Sequence, residues 1–100
     1  MATISKQMYN GAAATNSATL YTTPSSTTAV VTNFVIANTA NTAGTFNIFL
    51  GGTSIATNEA IPANTTVIFD LKQVLNATQT IAGYASATSI NFLVSGVEIS

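Results

Sequence analysis

The sequence predicts an all-β fold, an antiparallel β-sandwich of immunoglobulin-like or jelly-roll topology, on three observations. Short runs rich in Val, Ile, Phe and Thr alternate apolar and polar residues with a period of two, as half-buried strands do. Clusters of Gly, Pro, Asn and Ser separate these runs. Helical spacing occurs only in the five residues Leu71 to Leu75, enough for one turn between strands.

Taken in order, Thr3 to Tyr9 alternates weakly through Ile4 and Met8 and reads as an edge strand or a docking arm. Asn10-Gly11 is a turn signal, followed by the small residues Ala12 to Ala18, so residues 1–19 divide from a sandwich domain over 20–100. Leu20 and Tyr21 open the next strand, which Pro24 ends. Thr27 to Asn38 is β-branched or aromatic at most positions and reads as a central strand. Strict alternation there puts Val30, Thr32, Phe34 and Ile36 on one face and Val31, Asn33, Val35 and Ala37 on the other.

After the Asn38 to Gly44 loop, Phe46, Ile48 and Leu50 share a face, and Gly51-Gly52 forms a tight hairpin turn into Thr53 to Ala56. Pro62 marks a bend, and Val67, Phe69 and Leu71 resume the alternation. Leu71, Val74 and Leu75 then fall at i, i+3 and i+4, with Asp70 as N-cap and Asn76 as stop, which predicts a helical turn over 71–75. Ile81 and Tyr84 mark a further strand, and Ile90, Phe92 and Val94 the last, where Gly96 predicts a bulge that redirects Val97 and Ile99.

Composition narrows the chemistry. One hundred residues suffice for one domain that buries about 60–70% of its extended surface. With no histidine and no cysteine, imidazole catalysis, thiolate chemistry and disulfides are out of reach, and the abundant Ser and Thr hydroxyls lack an activating base. Glu59, Asp70 and Glu98 are dispersed without metal-ligand spacing, so neither an enzyme nor a metal or other cofactor is expected. Two lysines and no arginine cannot track a phosphate backbone, which argues against nucleic acid. Membrane insertion is not expected either, since no run of about 20 apolar residues occurs and no hydrophobic stretch follows Lys6 to make a signal peptide. Asn64-Thr65-Thr66 and Asn76-Ala77-Thr78 match glycosylation sequons, a chance event in a chain so rich in Asn and Thr.

The five charged residues fall far below the roughly 25% of ordinary domains, so the polar surface is neutral and copies can sit close together. If Phe34, Ile36, Phe46, Ile48, Val67, Phe69, Phe92 and Val94 fill the sandwich, then Val35, Phe49, Ile68 and Leu93 point outward. Those four are the candidate subunit interface, unless a strand buried on both faces, or a bulge, absorbs them internally.

Read as strings, Leu20-Tyr21-Thr22-Thr23-Pro24, Val30-Val31-Thr32-Asn33-Phe34-Val35-Ile36-Ala37-Asn38 and Gly51-Gly52-Thr53 resemble a small β module of tailed-bacteriophage virion proteins. Leu75-Asn76-Ala77-Thr78-Gln79-Thr80-Ile81, Ala85-Ser86-Ala87 and Val94-Ser95-Gly96-Val97-Glu98-Ile99 are similar to its end, where Gly often stands at the place of Thr78. The resemblance covers Leu20 to Ile99 and carries no catalytic residue. It implies a virion location after assembly in the host cytoplasm. The implied role is a capsid decoration or cement protein that forms homo-oligomers, trimers above all, on the major capsid protein or another virion protein. Ile4, Met8 and Tyr9 would then belong to an anchoring arm. The alternative is a tail, neck or fibre component, or a carbohydrate-binding module with tyrosines stacked on sugar.

Overall fold

The computed structural model describes residues 2–100. Eight strands follow one another: β1 (Thr3–Ala12), β2 (Ala18–Thr22), β3 (Thr28–Asn38), β4 (Gly44–Leu50), β5 (Thr53–Ile61), β6 (Thr65–Leu75), β7 (Thr80–Ala85) and β8 (Ile90–Ile99). They form two four-stranded antiparallel sheets, a first with order β1-β8-β3-β6 and a second with order β2-β7-β4-β5. Apart from the β4–β5 hairpin, each strand crosses to the opposite sheet from its predecessor. That winding is the eight-stranded jelly roll, which decides between the two topologies open to the sequence.

The alternation of apolar residues sets which face of each strand is buried. Phe34 and Ile36 of β3, Phe46 and Ile48 of β4, and Ile90, Phe92 and Val94 of β8 are sealed between the sheets. Val67 and Phe69 are half-buried on β6, packed against that core. The Phe34 and Phe92 rings meet edge to face at 5.5 Å, and Phe46 approaches Phe69 across the sheets at 6.1 Å. Each fully buried side chain of this size contributes about 1.5–3 kcal/mol. Gly51 and Gly52, at φ 58° and 86°, form the two-residue turn that only residues tolerant of positive φ make well. At the other end of β4, buried Asn38 donates to Thr42 O at 2.9 Å and Pro62 O at 3.2 Å and accepts from Ala40 N, tying two loops together.

Two expectations are corrected. Residues 71–75 are not helical: they finish β6, with Val74 paired to Val30 and Leu75 to Ala29. Asp70 is therefore a mid-strand residue opposite Asn33, not a helix cap. Five residues cannot separate a helical from an extended pattern, and the pairing with β3 decides.

The second correction concerns the bulge. β8 runs through Gly96 without one, and the register shifts lie in its neighbours, at Met8 in β1 and Thr32 in β3. A side chain at Gly96 would strike Val30 O and, at 2.6 Å, Met8 Cε, so the glycine lets both bulged strands close over β8. The extra residue in β3 reverses its first half. Val31 is fully buried and Val30 faces out, opposite to strict alternation.

Candidate functional site: the outer face of the first sheet

Antiparallel pairing fixes which side chains stand together on the face turned away from the core, because directly paired residues share a side. Leu93 of β8 pairs with Val35 of β3, and Val35 pairs with Ile68 of β6. Three of the four predicted interface residues thus form one unbroken apolar row across three strands, closed on β1 by Asn10. Ile68 is 61% exposed, and Val35 and Leu93 are half-buried. A shallow hollow beside the row is lined by Asn10, Gly11, Val35, Ala37 and Asn91.

A second row runs parallel to the first. Val97, Val30 and Val74 pair in succession across β8, β3 and β6, with Val74 58% exposed. Between the rows lies a neutral-to-acidic one, Gln7, Ser95, Asn33 and Asp70. Sequence reasoning missed the second row because it placed Val30 inside. The signal that finds it is the register shift at Thr32, which depends on both neighbouring strands and is invisible in β3 alone.

Phe49 is elsewhere. It lies on the outer face of the second sheet, paired with Ala82 and stacked on Tyr84 at 6.3 Å and 21°. The two sheets therefore present different surfaces, one aliphatic and one aromatic.

The proposed arm residues sit in β1, hydrogen-bonded along the edge of the first sheet. Met8 is buried against Gly96, and Tyr9 is half-buried with its hydroxyl donating to Ala12 O at 2.7 Å. Ile4, 54% exposed, is the one of the three that presents a large free side chain.

Of the five charged residues, Asp70 and Lys72 lie on this face, between the two rows at the β6 edge. Lys6 lies 3.8 Å from Glu98, whose carboxylate also accepts the Tyr21 hydroxyl from the opposite sheet. Burial, then the hydrogen bond and negative charge of Glu98, hold the Tyr21 pKa well above its ordinary value. Asp70 and Lys72 are exposed on β6. A neighbour covering the Leu93–Val35–Ile68 row from the β8 side would leave Asp70 and Lys72 at its margin, and apolar area removed from water contributes about 25 cal/mol per Å².

No protein-family model matches the chain, and no curated protein matches its sequence. Among solved structures, a chain in the crystal structure of the T13 IBDV viral particle aligns over 97% of this chain and 30% of its own length, with 11% identity and a TM-score of 0.59. At that identity the likeness carries the fold alone, and the chain spans under a third of that neighbour. Two crystal structures of a pentameric capsid protein isolated from metagenomic phage sequences align over 96% of this chain at 19% and 18% identity. Their TM-scores of 0.29 and 0.30 are too low to carry a structural argument.

Proposed function

We propose that this chain is a non-enzymatic structural component of a virus particle, and that the outer face of its first sheet packs against a neighbouring subunit. The observation that carries the reading is the row Leu93–Val35–Ile68, three aliphatic residues held side by side on a face whose charges, Asp70 and Lys72, are confined to the β6 edge. Contiguous apolar surface of this kind marks contact sites. The jelly roll supports the particle context, since viral capsid domains commonly use it and the T13 IBDV viral particle contains a chain of similar fold.

In the finer reading the chain is a decoration or cement protein of a tailed phage, a homo-oligomer seated on the major capsid protein. The string resemblance over Leu20 to Ile99 supports this, and trimers are the form it implies. Such a protein acts by mass action: binding only the assembled shell, it stabilises that shell. The test adds purified protein to shells lacking it. Leu93→Asp and Ile68→Asp are expected to lower occupancy at least about tenfold while the monomer stays folded, because each buries an unpaired carboxylate at the contact. Undiminished occupancy overturns the assignment of this face.

A second reading draws on the stacked Phe49–Tyr84 pair, an aromatic platform of the kind on which sugars stack. Host-glycan recognition would then reside on the second sheet. Binding on a glycan array that Tyr84→Ala abolishes supports it, and an array without binding removes it.

A further inference from the structure

The outward side chains of β6 read, in order, Thr66, Ile68, Asp70, Lys72, Val74. The sequence is chemically palindromic about Leu71: an acid faces a base and an isoleucine faces a valine when the strand is laid antiparallel on itself. β6 is also a sheet edge, with one flank hydrogen-bonded to β3 and the other unpaired. At eleven residues it is among the longest strands, and its ladder with β3 shifts register once, where Leu71 and Lys72 stand opposite Thr32 alone. β1 carries the Met8 bulge, β2 has five residues, and the ladder of β5 shifts twice. The unpaired N–H and C=O groups of an edge strand are a template for pairing.

From this geometry we infer that β6 is a self-pairing edge: two copies of the chain join β6 to β6 about a two-fold axis at Leu71, extending the first sheet across both molecules. In that register Ile68 stands opposite Val74 of the second copy, Asp70 opposite Lys72 of the second copy, and Leu71 opposite its own counterpart. Each contact off the axis occurs twice, as an isologous interface requires. Two of the four large hydrophobics left exposed among the described residues, Ile68 and Val74, lie on this strand, and a third, Ile55, is on β5 of the other sheet. Ile55 lines a groove with Phe69, Leu71 and Gln73 between the two sheets, and the incoming strand covers it.

Charge selects the register. Among the described residues Lys6 and Glu98 form the one ion pair, which leaves Asp70 and Lys72 unpaired in the monomer. Centring the pairing on Asp70 instead would set two carboxylates face to face, and centring it on Lys72 two ammonium groups. Like charges directly opposite are destabilising, so the Leu71-centred register alone satisfies both. The pairing needs only the isolated chain, so it holds or fails independently of any role in a particle.

Sedimentation equilibrium of the full chain and three variants tests it. Wild type is expected to dimerise. Asp70→Lys and Lys72→Asp should each weaken the dimer at least about tenfold, since each turns two attractive pairs into two repulsive ones. The double variant restores opposite charges and should recover wild-type affinity to within about threefold. Mixing the two single variants supplies a sharper readout, because their edges are complementary to each other and not to themselves. A heterodimer forming from two variants that fail to self-associate also shows that both are folded. A wild-type chain that stays monomeric up to millimolar concentration overturns the inference, as does a dimer indifferent to the charge exchanges.

Discussion

Thr78 holds a backbone angle that its side chain resists. Its φ of 71° lies in the left-handed region, which costs a β-branched residue about 1–2 kcal/mol. Its side chain is exposed, while its amide donates to Thr23 O at 3.0 Å and closes the turn before β7. Thr78→Gly removes the strain and forfeits about 0.5–1 kcal/mol of backbone entropy. The variant is expected to match wild type or exceed it by up to about 1 kcal/mol in urea unfolding; a loss of that size would show that the hydroxyl matters. Gly96 is the opposite case. A methyl group there meets Val30 O and the Met8 thioether, so Gly96→Ala should cost about 2–3 kcal/mol, read as a lower midpoint at unchanged slope. The notable glycine at 96 was legible as an irregularity in the sequence, but not that the irregularity would lie in the strands on either side of it.

Strands whose alternation is unbroken were legible from their residues. Phe46, Ile48 and Leu50 in β4, and Phe92 and Val94 in β8, point inward as a period of two requires. β3 was only half legible, because the extra residue at Thr32 exchanges the roles of Val30 and Val31. That exchange makes a direct prediction. Val31→Ser should cost about 2–3 kcal/mol by placing a hydroxyl in the sealed core, while Val30→Ser should stay within about 0.5 kcal/mol in the monomer. Equal costs would contradict the bulge. The end of β6 misled because Leu71, Val74 and Leu75 satisfy helical spacing over too few residues, and long-range pairing with β3 outweighs it.

The two sheets are also joined by a titratable contact. Tyr21 in β2 donates to Glu98 in β8, and the folded chain holds the phenol above its unfolded pKa of about 10. Below that pH both states keep the proton and stability does not depend on it. Above it the unfolded chain releases a proton that the folded chain retains, so stability falls as pH rises. Tyr21→Phe is expected to flatten the loss between about pH 10 and 12 in thermal melts, and an unchanged slope would mean the phenol ionises freely in the folded state.

At the scale of the molecule, strand order was not legible, because pairings between strands far apart in the chain leave no local mark. The strand content and the jelly-roll option were. So was most of the candidate site: Val35, Ile68 and Leu93 come together in one row because β8, β3 and β6 are neighbours in register. Phe49 does not join them, since β4 belongs to the other sheet, and which sheet a strand enters is decided by the winding. A jelly roll with one aliphatic outer face and scarcely any charge is suited to lying against protein over that face.

The most direct measurement is the position of this chain in a density map of the assembled particle. The account predicts that the outer face of the first sheet lies against a neighbouring subunit, with Val35, Ile68 and Leu93 within about 4 Å of its atoms. A map in which that face is open to solvent, or in which the chain is absent from the particle, contradicts it.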